Sequence, residues 1–352
     1  MIAVRRLVPN KSKPFILSLS KRTVRPSRGE MRFAIYGAGA IGAYLGAKLS
    51  VAGEDVALIA RGPHLKAMRE NGVQIRCAEG DFYAELLATG DPAEVGEVDV
   101  IVLAVKAHGL TAIAPLLEPM LGPDTVVLPA QNGIPWWYFQ GHGGPWEGTR
   151  LESVDPGGVI TKHIATERII GCVVYPAATI VKPGVIQHEE GNRFSIGELD
   201  GTSSDRVKAL SAAIGNAGLR APVRSNIRQE IWVKLLGNLA FNPVSALTKA
   251  SMKEIATDPD ARAVAQAMME EAYAVATALD LEIPITIEQR LTGAEKVGDH
   301  KTSMLQDVEA AKPIEIEGLV GSVLELGTKL NIPMPYTTTV YACTKLLAQK
   351  SA

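Results

Sequence analysis

Lys234, Asn238 and Asn242 recur four residues apart in IWVKLLGNLAFNP (residues 231–243), and almost everything between them is apolar. At 3.6 residues per turn this spacing sets all three on one side of a helix, with a slow drift around the axis. The groups on offer are an ammonium donor and two neutral amides, which can orient the polar atoms of a small molecule without adding charge to be desolvated. A solvated helix would carry a wider polar face with glutamates and more lysines. Two readings fit the segment alone: a half-exposed helix whose narrow stripe faces water, or a buried helix whose stripe lines a cavity.

A second group with chemistry in it lies near the start. From Met31 the chain runs MRFAIYGAGAIGAYLGAKLSVAGEDVALIARG. A short β-type run at 33–36 leads into Gly37-Ala38-Gly39-Ala40-Ile41-Gly42, then a helical segment, a turn at Gly53 and a strand at 56–59. In the G-x-G-x-x-G pattern the three glycines give a tight turn, close approach of backbone to a pyrophosphate, and close helix–strand packing. The helix start adds free N–H groups and a positive dipole for phosphates. Placed between a strand and a helix, the pattern reads as a dinucleotide site. At the end of the second strand, where an NAD site places an acid for the ribose hydroxyls, this chain has Arg61. A guanidinium there suits the 2′-phosphate of NADP.

These groups need a scaffold. A buried-strand pattern at 99–105 is followed by Lys106-Ala107-His108, and another strand at 125–128 leads to Gln131-Asn132-Gly133. Ligands of open α/β sheets bind outside the carboxyl ends of the strands, so Lys106 and Asn132 are candidates for contact, while His108 reads as a turn residue. Residues 134–158, rich in Gly, Pro and Trp, read as a long irregular excursion, functional or disordered. Strand-like runs resume at 169–174, 184–188 and 193–196. After about Ser225 the patterns turn helical, at 227–241, 261–279, 287–296, 313–330 and 336–349. Pro243 is expected to end the first of these, since proline disfavours helix in the residue before it. The expected fold is therefore an α/β Rossmann-type N-terminal domain (31–224) followed by an all-α domain (225–352), with the ligand between them. Ser303, in TSMLQD (302–307), and Glu315 also point towards that cleft. An acid in a first helical turn is equally what compensation of the helix dipole would give.

Composition narrows the classes. The 352 residues are 47% hydrophobic and 21% charged with a net charge of −2, which gives no bulk attraction to nucleic acid or an anionic membrane. No apolar run approaches the length of a membrane span. Cys77, Cys172 and Cys343 are scattered, make no metal-ligand spacing and fit reduced thiols in the cytosol. Residues 1–30 carry eight Lys/Arg against Glu30 alone. They read as a disordered tail, or as residues upstream of a natural start at Met31, in preference to a targeting segment.

Taken together, GAGAIG, VKAH (105–108), QNG (131–133), IWVKLLGNLAFNP, and TSMLQD followed by Glu315 resemble the ketopantoate reductase (2-dehydropantoate 2-reductase) family, from Met31 to the C-terminus. The resemblance implies a 6-phosphogluconate-dehydrogenase-like helical domain and a cytoplasmic enzyme, and allows a homodimer. The activity implied is NADPH-dependent reduction of the 2-keto acid 2-dehydropantoate to (R)-pantoate, a step towards pantothenate and coenzyme A. It makes Lys234 the proton donor to the substrate carbonyl and puts Glu315 near that lysine and the cofactor. Asn132 would touch nicotinamide and substrate, Asn238 and Asn242 the hydroxyl-bearing end of the substrate, Ser303 its carboxylate region, and Lys106 the cofactor. Departures from the family pattern bear on the substrate: Met252 and His300 stand where many members have asparagines. Two other readings stay open, a family reductase for a different 2-keto acid and a non-catalytic NADP-sensing protein. The joint presence of Lys234, Asn238, Asn242 and Glu315 speaks against the second.

Overall fold

The computed structural model describes residues 30–351, so the reading of the basic leader falls outside the described residues apart from Glu30. Strands β1 (Arg32–Tyr36), β2 (Asp55–Ile59), β5 (Leu87–Thr89), β6 (Val98–Leu103) and β7 (Leu121–Pro129) form a parallel sheet in the order β5-β2-β1-β6-β7. The order reverses between β1 and β6, which makes their carboxyl ends the switch point where such sheets bind ligands. Beyond β7, a parallel bridge from Val127 to Ile169 leads into β8 (Ile170–Val174), and β11 (Phe194–Glu198) pairs with β8 antiparallel.

Helix α1 (Ala40–Val51) is buried nearly all round because it lies between two sheets. Its second cover is a smaller sheet, β4-β3-β10-β9, formed by β3 (Val73–Arg76), β4 (Phe82–Ala84), β9 (Ala177–Lys182) and β10 (Val185–Glu190). Tyr44 of α1 stacks on His188 of β10 with ring centres 4.5 Å apart. The sequence reading lacks β3, β4, β5 and β9: the first three have only three or four residues each, too few for an alternating pattern to register, and β9 lies largely at the surface. Helices α2 (Gly62–Asn71), α3 (Leu110–Ile113), α4 (Val159–His163) and α5 (Asp205–Asn216) complete this half.

The second half is helical, and α6 (Ile227–Thr248) is its axis. Packed on it are α7 (Met252–Thr257), α8 (Pro259–Ala278), α9 (Ile287–Val297), α10 (Ser303–Glu309) and α12 (Pro335–Ser351), while α11 (Ser322–Lys329) lies against α8. Two boundaries differ from expectation. Helix α6 runs straight through Pro243 to Thr248 and stops only at Lys249, in the left-handed conformation (φ 64°). Proline removes one N–H and crowds the preceding turn, yet Asn242, Pro243, Val244, Ser245 and Ala246 are all buried in the bundle, and that packing prevails over local preference. The helix expected from Pro313 begins at Ile316 and includes a π turn, Glu317–Gly321, so Glu315 stands just ahead of it.

The Trp-rich excursion is irregular, as expected, but ordered. Trp136, Trp137, Tyr138 and Phe139 are each at most 3% exposed and belong to the core that joins one face of the parallel sheet to the helical half. Arg228 of α6 fastens the segment by donating to the carbonyl oxygens of Tyr138 (2.7 Å), Gln140 (2.7 Å) and Leu199 (2.5 Å). Trp232 donates its indole N–H to the Tyr138 hydroxyl at 2.8 Å. Irregular backbone thus becomes a fixed wall beside the stripe of α6.

Candidate active site

The glycine turn follows β1 directly, and its three glycines differ in what they touch. Gly37 takes φ +100°, and a Cβ there would come within 2.5 Å of the Val105 nitrogen, so this position needs glycine for conformation and for space. At Gly42 a Cβ would run into the Gly37 carbonyl and press on Ala104 and Ile35 at 3.0 Å, which ties α1 closely to the sheet. Gly39 meets nothing within 4 Å and has negative φ at the N-cap of α1. Neither strain nor packing inside the protein asks for glycine at 39; a phosphate backbone lying against the helix start would. The residues present therefore fit a dinucleotide. Gly37 to Gly42, with Ala38, Ala40 and Ile41, would cradle the pyrophosphate, and Arg61 is exposed where β2 ends and α2 begins.

From this turn a chain of contacts leads to the lysine. Val105, against Gly37, accepts a hydrogen bond from Gln131 Nε2 at 2.9 Å, and Gln131 also holds the Leu103 carbonyl at 2.7 Å. Asn132, next along, accepts from Lys234 Nζ through Oδ1 at 2.6 Å. Gly133 (φ +91°) backs directly onto Gly318 of the π turn, leaving no room for a Cβ, and the Ile134 N–H bonds the Gly318 carbonyl at 2.9 Å.

Lys234 is half-buried, and its ammonium also donates to the Val174 carbonyl at the end of β8. It lies 5.6 Å from the centre of the Tyr175 ring. Burial pulls its pKa down to about 8, against the pull of Glu315 and with the help of Arg290 and Arg193. Cys172 is itself buried and free, and burial pushes its thiol up to about 12, so it stays protonated. A cavity beside the lysine is lined by Asn132, Trp137, Cys172, Lys234 and Asn238. Lys234 and Asn238 of the stripe therefore face a cavity and not bulk water. Asn242, 5% exposed, points its amide at the Ser303 hydroxyl 3.5 Å away, while Ser303 itself is exposed at the start of α10.

Glu315 accepts the Ala107 N–H at 2.9 Å, a bond that crosses from the loop after β6 to the segment before the π turn. Dipole compensation within its own helix is thus not what holds it. Burial raises its pKa, opposed by that N–H and by Lys106 and Lys234. Lys106 donates to the Pro313 carbonyl at 2.8 Å and pairs with Asp307 at 2.7 Å, fixing the segment that carries Glu315. His108 is exposed in the turn Ala107–Gly109.

One member of the stripe is missing from the sequence reading. Glu230, one turn before Lys234, extends the same four-residue period and could have been found by running it backwards. Its carboxylate accepts from Tyr175 (2.7 Å) and Ser195 (2.9 Å) and pairs with Arg193 and Arg224, each at 3.3 Å. No cluster that could hold a metal occurs among the described residues, nor is any of their helices long and apolar enough to cross a membrane.

Comparison with known proteins agrees with this geometry. The family model "Ketopantoate reductase PanE/ApbA" matches residues 33–136, and its C-terminal counterpart matches residues 226–348. A 2-dehydropantoate 2-reductase of Mesorhizobium japonicum is 49% identical over 319 residues, covering 90% of this chain and 98% of its own. The chain belongs to the ketopantoate reductase family. A crystal structure from Ralstonia solanacearum MolK2, assigned as a ketopantoate reductase, superposes with a TM-score of 0.87 at 41% identity, covering 92% of this chain and 99% of that one. The 2-dehydropantoate 2-reductase of Geobacter metallireducens superposes with a TM-score of 0.78 at 26% identity, over 92% and 100% of the two chains. Ketopantoate reductases are oxidoreductases, and the parallel sheet with its helical partner is their shared two-domain fold.

Proposed function

We propose that this protein reduces 2-dehydropantoate to (R)-pantoate with NADPH, with Lys234 as proton donor. In this reading residues 31–224 carry the cofactor and residues 225–352 present the catalytic face. The observation that carries it is the state of the Lys234 ammonium. Of its three N–H donors, one goes to Asn132 and one to the Val174 carbonyl, which leaves the third for a ligand. A pKa near 8 suits a general acid that must hold its proton at neutral pH and still release it.

When bound, the nicotinamide supplies the hydride to the keto carbon. Negative charge then grows on the carbonyl oxygen, where Lys234 neutralises it by hydrogen bonding and transfers its proton to give the hydroxyl. Asn132 fixes the ammonium from the cofactor side. Glu315 adds the negative charge that favours the ammonium form despite burial. Asn238 and Asn242 orient the hydroxyl-bearing end of the substrate, and Ser303 meets its carboxylate region. Arg61 selects NADP(H) through the 2′-phosphate. The relative of Mesorhizobium japonicum, named as a 2-dehydropantoate 2-reductase, supports the substrate.

A second reading, a reductase for another 2-keto acid, draws on one observation. Met252 and His300, the two departures from family asparagines, sit together: the Met252 N–H donates to the His300 carbonyl at 3.0 Å. Both changes therefore fall together in the fold, at the start of α7 and three residues ahead of Ser303. Oxidation of NADPH and NADH with 2-dehydropantoate and a panel of 2-keto acids separates the readings. Fast turnover of 2-dehydropantoate with NADPH is expected; preference for another keto acid, with 2-dehydropantoate inert, would select the second reading.

A further inference from the structure

Glu230 takes no part in the hydride step, yet side chains from three segments converge on it. Its own side chain is 13% exposed. It accepts from the Tyr175 hydroxyl at 2.7 Å and the Ser195 hydroxyl at 2.9 Å, and pairs with Arg193 and Arg224 at 3.3 Å each. One end of this network is shared with the lysine. The Val174 carbonyl accepts from the Lys234 ammonium, while the next side chain, Tyr175, reaches Glu230. The Tyr175 N–H is tied to the Arg193 carbonyl at 3.0 Å. Two residues one turn apart on one side of α6 thus grip the same dipeptide.

The Tyr175 ring also brings two cations together. The Arg193 guanidinium lies 3.8 Å from its centre and Lys234 Nζ 5.6 Å. Left unbalanced, that guanidinium would drive the proton off the ammonium, since a like charge at this range disfavours the charged form. Around the lysine stand Cys172 of β8, Glu315 ahead of the π turn, Arg290 of α9 and Arg193 ahead of β11. Arg290 lies where a Cβ on Gly237 would fall. Among these neighbours one carboxylate, Glu315, faces two guanidinium groups, so the charge that Glu230 sets against Arg193 matters to the ammonium. Burial and the Glu230 carboxylate raise the pKa of Tyr175, so its hydroxyl stays a donor.

We infer that Glu230 is the positioning residue of the proton donor: it pins Tyr175, and with it the Val174 carbonyl that aims the Lys234 ammonium, and it offsets the charge of Arg193 beside that ammonium. This rests on the reading of Lys234 as proton donor. Joining α6 to β8 and β11 does not by itself call for charge, because apolar side chains of similar volume would hold the segments as well or better. The ammonium one turn away gives the charge a purpose.

The test uses the full chain and follows two quantities through the alkaline range. One is kcat/KM for 2-dehydropantoate with NADPH. The other is the titration of Lys234 by NMR of isotope-labelled lysine, its signal assigned by its loss in Lys234→Ala. In Glu230→Gln, which keeps the shape and leaves Arg193 uncompensated, both midpoints should move down by roughly one unit. In Arg193→Gln, which removes the cation, both should move up. Combining the two substitutions should bring the midpoints back near the wild-type value, and Glu230→Asp should shift them less than Glu230→Gln. Tyr175→Phe, which cuts the tie and leaves the charges, should lower kcat roughly fivefold, the worth of one hydrogen bond, at an unmoved midpoint. A role confined to stability would lower the Tm and leave every midpoint in place. Midpoints that stay put in Glu230→Gln and Arg193→Gln therefore overturn the proposal, as does a wild-type kcat in Tyr175→Phe. If Glu230→Gln alone fails to fold, the fall in midpoint from Arg193→Gln to the double variant makes the same comparison, and its absence overturns the proposal. If the Lys234 signal shifts as expected and kcat/KM does not follow it, Glu230 keeps its role and Lys234 falls as proton donor.

Discussion

The glycine turn after β1 and the polar stripe of α6 stand at two ends of one chain of contacts, and they are built on opposite principles. The turn works by what is absent: Gly37, Gly39 and Gly42 leave room for backbone, for a ligand and for the sheet in turn. The stripe works by what is brought to it, since the partners of Lys234 come from β8, the QNG loop and the segment before the π turn. Local geometry specifies the first, and convergence of distant segments specifies the second. Substitutions in the turn should therefore separate cleanly into folding and binding effects, whereas those in the stripe should couple.

The sharpest break of that comparison is within the turn. Gly39→Val should cut NADPH affinity by roughly 100-fold, about 3 kcal/mol at the upper end of steric overpacking, and leave the Tm unmoved because nothing in the protein occupies that space. Titration of NADPH fluorescence alongside thermal melting checks both halves; a lowered Tm would mean the space is used by the fold. Next in size, Arg61→Gln should weaken NADPH by roughly 10–50-fold, the worth of charge-assisted hydrogen bonds to phosphate, and leave NADH affinity unchanged. Equal losses for the two cofactors would remove Arg61 from the 2′-phosphate. Smaller again, Gly42→Ala should destabilise by about 1–3 kcal/mol, as overpacking does, because its Cβ meets backbone and sheet side chains. Thermal unfolding without cofactor measures it.

The mildest effect concerns pH. Lys234 is faced by Cys172, Glu315, Arg290 and Arg193, and burial with these neighbours leaves its pKa at about 8. Reduction needs the ammonium, so kcat/KM should be flat below about 8 and fall as pH rises through it. Stability has the opposite sign. Above about 8 the folded lysine has lost a proton that the unfolded one keeps up to its ordinary value of 10.5, so the unfolded state binds more protons. The lysine's unfavourable contribution, fully present below about 8, should fade across that window. A pH series of kcat/KM and of denaturant midpoints follows the two.

Much of this was legible in the sequence, and the boundary of legibility follows the same contrast. The glycine turn, the strands around it and the four-residue period of Lys234, Asn238 and Asn242 are local patterns, and the structure builds them where they were read. Glu230 obeys the same period but looks like an ordinary helix acid until Tyr175, Ser195, Arg193 and Arg224 are seen around it. Glu315 reads locally as a cleft acid or a dipole-compensating one alike, because its partner, the Ala107 N–H, lies 208 residues away in the chain. Pro243 misleads because the bundle that buries it is invisible locally, and the Trp-rich segment because irregular backbone hides its role as core. Arg290 carries no motif at all; only the empty place at Gly237 shows where it goes.

The central claim is that the Lys234 ammonium protonates the substrate oxygen. Its most direct test is steady-state reduction of 2-dehydropantoate with NADPH by wild type and Lys234→Ala, with NADPH binding measured in parallel. The account expects kcat to drop roughly 10²–10⁴-fold, the usual worth of a general acid, with NADPH still bound and the fall in rate above pH 8 gone. An unimpaired kcat in Lys234→Ala would contradict it.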